Sequence, residues 1–245
     1  MTSMTIIDEL LVLLDDEQSR SLEMIGQALS GRSKQTLSST LGRLISKGWV
    51  KRGAGRNRRL YQTTPAGQQY VTDHLGAIKQ VTDRTWDESW EQIIYNIPER
   101  DRKRRDDLRN LLVSLGYGRI HNSLWLSPWS HAEAINEYIQ DTKSQNDITR
   151  FSTGKLTAAV HARIAQLFEW DWQNLDAEYE QFIQEAKLFL LSRTKSSFEA
   201  RKIVFHYAKI LSTDPKMPAL LTSHLRYAAE AYKQYELVRP FCYER

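Results

Sequence analysis

The chain has 245 residues, of which 41% are hydrophobic and 26% charged, with a formal net charge of +4 and a single cysteine. That length admits one large domain or two to three small ones with their own cores, and the patterning favours three. No apolar run approaches the length of a bilayer span, the start lacks the basic and cleavage pattern of a signal peptide, and Cys242 alone supports neither an internal disulfide nor a thiolate metal site; a membrane-spanning or disulfide-stapled secreted protein is excluded, and a cytoplasmic one is expected.

Ile6, Ile7, Leu10, Leu11 and Leu14 recur at helical spacing and predict a first helix, stopped by the polar stretch 15–20. Leu22, Ile25 and Leu29 mark a second, shorter helix that Gly31 breaks. Ser33 is a good N-cap for a third. In that helix Leu37, Leu41, Leu44 and Ile45 share one face, while Gln35, Ser38, Ser39 and Gly42 occupy the other. Gly48 stops it, Trp49 and Val50 open a short strand, and Leu60 and Tyr61 pair back across the turn at 53–58. A helix, turn and helix followed by a tight hairpin is the order of a winged helix.

Between Met24 and Thr72 there is no Asp or Glu but nine basic residues, Arg32, Lys34, Arg43, Lys47, Lys51, Arg52, Arg56, Arg58 and Arg59. A polyanion is the implied partner. Double-stranded DNA fits, because phosphate neutralisation supplies affinity and a helix in the major groove brings side chains to base edges. Gln35, Ser38 and Ser39 are the candidates for base edges, Lys34 and Arg43 for flanking phosphates, and Arg56, Asn57, Arg58 and Arg59 for a wing on backbone or minor groove, with Ser33 at the helix start counted among the DNA-binding residues.

Thr64 and Pro65 then form an N-cap and first-turn pair, opening a helix through Tyr70, Val71 and Leu75 toward residue 82. Residues 1–75 are thus read as the DNA-binding domain and 76–85 as a linker helix. From Trp86 the texture changes. A strand at 90–97 is closed by Pro98, a charged helix follows over 99–115, two short strands lie at 119–122 and 123–126, a helix at 132–142, and a fourth strand at 148–151. Strand, helix, two strands, helix and strand is the ferredoxin-like order, assigned to 86–154. From 155 to 245 the signals are helical. Helices are expected over 167–172, from Leu175 through Ala186, over 196–211, and from about 219 to 237 after the turn made by Asp214, Pro215, Met217 and Pro218. The fold class is therefore α+β.

The middle block resembles the PaaX family of bacterial repressors of phenylacetic acid degradation. The likeness rests on Trp86, Asp87 and Trp90, on Ile97, Pro98 and Glu99, on Arg105 and Leu108, and on Gly116, Gly118, Trp125, Ser127 and Pro128. Trp170, Asp171, Leu175 and Tyr179, with the segment 214–221, resemble the family's C-terminal part. The resemblance implies a winged-helix head, a ferredoxin-like centre and a helical end. It also implies a homodimer that represses an operator until an acyl-CoA effector releases it.

The centre is also similar to the small ferredoxin-like nucleases of CRISPR spacer acquisition, which leaves a DNA-binding assembly protein or a metal-dependent nuclease as the alternative. In those enzymes the first strand ends in a metal-binding aspartate, but Asn96 follows Tyr95 here, and an amide lacks the charge a hard cation wants. Neither catalysis nor a cofactor is expected. His74, His121, His131, His161, His206 and His224 show no ligand spacing, so no metal site is assigned. Trp86, Trp90, Trp125, Trp129, Trp170 and Trp172 either line an apolar effector pocket or pack the middle against the C-terminal part. The effector site stays unassigned.

Overall fold

The computed structural model describes residues 4–15, 18–53, 59–79, 85–168, 171–218, 221 and 225–243, which fall into two compact units. The first unit comprises Met1–Gln80, Asp176–Ile210 and Tyr227–Arg245. The second comprises Val81–Leu175 and Leu211–Arg226. The segment 155–245, which the sequence reads as one helical domain, is thereby shared between both units.

In the first unit α1 (Ile6–Leu14) opens on a capping box, with Thr5 Oγ1 accepting from the Asp8 N–H and the Asp8 carboxylate accepting from the Thr5 N–H. Then come β1 (Arg20–Ser21), α2 (Leu22–Ala28), α3 (Lys34–Ser46), β2 (Val50–Arg52), β3 (Leu60–Thr63) and α4 (Pro65–Lys79). The strands form an antiparallel sheet in the order β1-β3-β2, with Val50 opposite Thr63 and Arg20 opposite Tyr61. This is the expected winged helix with one addition: β1 lies at the end of the stretch read as a polar stop. Two residues are too few for a periodic signal, and pairing with β3 creates the strand. The expected linker helix is described only to Lys79, and 80–84 lie outside the described residues.

The core of this unit runs from α1 (Leu10, Leu11, Leu14) through α3 (Leu37, Leu41, Leu44) to Phe198 and Phe205 of α9 (Ser197–Thr213). The C-terminal helices therefore belong to the same body as the head. Within α8 (Trp172–Leu191), α9 and α10 (Ala228–Val238), Tyr207 stacks on Tyr235 at 5.1 Å and packs against Phe182 at 5.0 Å.

The second unit contains β4 (Glu91–Tyr95), a 3-10 turn at Glu99–Asp101, α5 (Arg102–Ser114), β5 (Gly118–His121), β6 (Leu124–Ser127), α6 (Ala132–Thr142) and β7 (Ile148–Ser152). Its antiparallel sheet has the order β5-β6-β4-β7, the ferredoxin-like arrangement. Ile93, Tyr95, Trp125 and Ile148 of the sheet pack on Leu108, Leu112 and Ile135 of the two helices. Among the described residues a further helix of this unit is α7 (Ala158–Leu167), and α8 starts at Trp172; of the helix expected over 167–172, 169–170 lie outside the described residues, and Phe168 and Asp171 are not helical. Only His161 and Ala165 of α7 are buried, so it offers no apolar stripe to read. The last helix starts at Ala228 rather than near 219.

The tryptophans pack this unit. Trp90 is fully buried with Leu126, Phe168 and Met217, flanked by Trp86 and Trp172, and Trp125 belongs to the helical side of the sheet. Trp129 donates to the Lys216 carbonyl at 2.6 Å. Trp170 lies outside the described residues. Trp90 Nε1 donates to His161 Nδ1 at 2.9 Å, making His161 a core histidine.

Candidate nucleic-acid interface

Helix α3 begins at Ser33, whose hydroxyl accepts from the Thr36 N–H at 3.1 Å and bonds the Thr36 hydroxyl at 2.8 Å. That cap fixes the helix start, so Ser33 acts by holding the N-terminus of α3 and its side chain is already engaged. Leu37, Thr40, Leu41 and Leu44 are buried, which turns Lys34, Gln35, Ser38, Ser39, Gly42, Arg43 and Ser46 outward. The sequence-assigned residues of this helix thus lie together on its exposed side. Among the described residues the side chains of Lys34, Gln35 and Ser38 make no hydrogen bond, while Ser39 Oγ donates to the Thr36 carbonyl at 3.0 Å and can still accept from a partner. Arg43 donates to the Thr40 hydroxyl at 3.2 Å, which restrains its guanidinium at the edge of the face.

The wing follows directly. The Gly53 N–H donates to the Leu60 carbonyl at 3.0 Å and closes the hairpin, and Arg59 is exposed beside it. Arg56, Asn57 and Arg58 lie outside the described residues. The hairpin adds cations that the sequence reading counted but gave no role. Lys51 and Arg52 are exposed on β2, the Arg52 guanidinium lies 5.6 Å from the Tyr61 ring, and Lys47 Nζ lies 4.7 Å from that of Trp49. Aromatic residues spaced two to nine positions from a lysine or arginine give too weak a sequence signal to find these ring contacts. Arg32, by contrast, pairs with Glu9 at 3.1 Å, so one of the nine basic residues is spent inside the unit.

Gly42 is informative in the opposite sense. A Cβ built there meets nothing within 4 Å, so no packing inside the chain asks for glycine. Glycine within a helix costs about 1 kcal/mol relative to alanine. Gly42→Ala is expected to raise stability by about 0.5–1 kcal/mol in denaturant titrations. It should also weaken DNA binding, because a methyl would stand where the backbone is to approach the groove; an unchanged affinity would show that no such approach occurs at this position.

Asn96 is exposed just past β4, its N–H donating to the Asp147 carbonyl at 2.8 Å, and Asp147 itself pairs with Arg104 at 2.6 Å. Among the described residues no group of three or more His, Cys, Asp or Glu side chains could hold a metal ion. Nor does any of their helices have the length and apolarity to cross a membrane.

Residues 83–165 match the family model described as the PaaX protein central Cas2-like domain, and residues 8–116 match that of the penicillinase repressor. A search of curated proteins finds no match. Among solved structures the fold is similar to that of the uncharacterized protein Rv0674 from Mycobacterium tuberculosis, with a TM-score of 0.62 and 16% identity over 98% of this chain and 96% of the other.

Proposed function

We propose that this chain, a transcriptional regulator of the PaaX type, acts in the cytoplasm as a homodimeric repressor whose two winged helices read half-sites about one helical turn, or a multiple, apart. The observation that carries the reading is the outer side of α3, polar and free of acid, with Lys34, Lys47, Lys51, Arg52 and Arg59 exposed around it. Gln35, Ser38 and Ser39 read base edges, Lys34 and Arg43 engage flanking phosphates, and the wing residues Arg56, Asn57, Arg58 and Arg59 engage backbone or minor groove. The chain does no chemistry of its own, and the amide at Asn96 supports this over the nuclease alternative. An acyl-CoA effector, drawn from the family likeness, would act by favouring a dimer geometry that mismatches the half-site spacing.

Titrating the protein against DNA from upstream of its own gene and against scrambled DNA of equal length, at fixed salt, tests this. A preference of about a thousandfold or more is expected. Tight, salt-sensitive binding without preference would favour an assembly role instead. Alanine at Arg56, Arg58 and Arg59 together should weaken binding to every sequence alike and reduce the log–log salt slope by about three. A parental slope in that variant would remove the wing from the phosphate contacts.

A further inference from the structure

Helix α8 is buried along one side and exposed along the other. Tyr179, Phe182, Ile183, Ala186 and Phe189 pack inside the first unit, whereas Ala177, Glu180, Gln184, Lys187, Leu188 and Leu191 are exposed on the opposite side. A single exposed leucine is ordinary. Leu188 and Leu191, however, are 69% and 82% exposed and stand three residues apart on the last turn of the helix, so together they present one apolar patch. Ala177, Gln184 and Leu191 follow one another at intervals of seven, as do Glu180 and Lys187, and that interval keeps a stripe in line with a partner helix.

We propose that this stripe is the surface on which a second copy of the chain docks, α8 lying antiparallel on α8 across a two-fold axis at Gln184. A two-fold interface must fit itself. About that axis Leu191 of one copy meets Ala177 of the other, a large side chain on a small one, which lets the helices close to about 8–10 Å. Leu188 and Lys187 of one copy lie along Glu180 of the other, so an acid meets a base, and symmetry repeats the contact. A parallel pairing would set Glu180 on Glu180 and Lys187 on Lys187 instead. Like charges reject it. Glu180 makes no ion pair or hydrogen bond among the described residues. Lys187 Nζ lies 3.9 Å from Glu230, with both side chains more than a third exposed, a contact worth little; an ammonium has three donors and keeps it while reaching the second copy.

The stripe belongs to the same unit as α3, so a two-fold axis here sets the separation between the two copies of α3. That consequence rests on the DNA-binding reading above, and the docking surface itself does not.

From Ala177 to Leu191 the stripe runs about 21 Å, short for an interface, so a dimer that dissociates at about micromolar concentration is expected. Sedimentation velocity on the full chain, from about 0.1 to 100 μM, reads it. Leu188→Glu combined with Leu191→Glu should weaken self-association by at least about a hundredfold, yet melt as the parent does, because both side chains are exposed. Glu180→Lys and Lys187→Glu should each weaken it by about tenfold. An equimolar mixture of those two variants should dimerise as well as the parent, because every lysine in the mixed pair then meets a glutamate. A parent that stays monomeric at the top of that range, or a dimer that the leucine variant leaves unchanged, would overturn the surface. Charge variants that associate like the parent, or a mixture that does not recover, would overturn the antiparallel pairing. Should the leucine variant fail to melt cooperatively, the mixture still decides. A dimer held by this stripe in a chain with no promoter preference would overturn the regulator reading and leave the surface standing, whereas promoter preference in a monomer would overturn the surface and leave sequence recognition standing.

Discussion

Ser38→Glu is expected to abolish operator recognition, with an affinity loss of at least about a hundredfold, or about 2.8 kcal/mol. Ser38 is exposed on the outward face of α3, about one turn from the start of the helix and about two from its end, and its hydroxyl makes no hydrogen bond among the described residues. A carboxylate at this point would face base-edge acceptors and flanking phosphates. It cannot satisfy acceptors with an acceptor, and like charges brought together at a desolvating interface cost several kcal/mol. The protein itself should be indifferent to the change, within about 0.5 kcal/mol, because nothing packs on the side chain. Binding titrations paired with thermal melts check both halves: equal affinity of variant and parent for the promoter fragment would move the recognition face elsewhere, while a lost melt would make the loss of binding uninformative and Ser38→Ala the variant to compare. With alanine the fold should persist and only the contribution of one hydroxyl should be missing, about 1 kcal/mol.

The outline of that face is legible in the sequence because three independent signals coincide there. Leu37, Leu41 and Leu44 set the buried side, Ser33 sets the start, and the absence of acid from 24 to 72 sets the electrostatics. The ferredoxin-like order is legible for a related reason: β4 is an aromatic and β-branched run, α5 and its C-cap carry Leu108, Leu111, Leu112 and Leu115 at helical spacing, and Pro98 and Gly116 punctuate them. What sequence does not carry is long-range pairing. The strand β1 exists because β3 offers it partners, and α7 exists without an apolar stripe. The sharing of 155–245 between two units is likewise decided by where Phe198, Phe205, Met217 and Leu221 find neighbours, not by any composition break.

Glu91 makes the same point at one residue. In sequence it is a charged position at the edge of an aromatic strand. In the structure it is a buried carboxylate that accepts from Ser130 Oγ at 2.6 Å, from the His131 N–H at 3.2 Å, from the Tyr117 hydroxyl and from Arg150 at 3.1 Å. Burial alone would raise its pKa, but those donors outweigh burial and hold the carboxyl below its ordinary range. The partners come from the residue before β5, the loop before α6, and β7, so the acid fastens these segments to β4. No spacing rule joins residues up to 59 positions apart.

Asp8→Asn is expected to destabilise the protein by about 3–5 kcal/mol, a large share of a total of about 5–15 kcal/mol. Asp8 is 1% exposed and ties three helices: its carboxylate accepts from Thr5 at the start of α1, from the Tyr70 hydroxyl of α4 at 2.8 Å, and from Lys209 Nζ of α9 at 2.6 Å. The amide removes the charge and leaves the Lys209 ammonium buried beside a neutral group, which is the costly way to break a buried pair. Lys209→Met alone strands the carboxylate instead. The double variant should therefore cost less than the sum of the two, and urea titrations of all four proteins give the coupling. Burial on its own would raise the Asp8 pKa, but the hydrogen bonds from Lys209, Thr5 and Tyr70 outweigh it and bring it below the ordinary carboxylate value of about 3.9. A folded-state pKa below the unfolded one gives stability that is fully present above the unfolded value and is lost as pH falls through the folded value. The parent should thus approach the Asp8→Asn variant in stability as the pH is lowered below about 4. A gap between them that stays constant from neutral to acid pH would mean that the carboxylate charge is not what joins α1, α4 and α9.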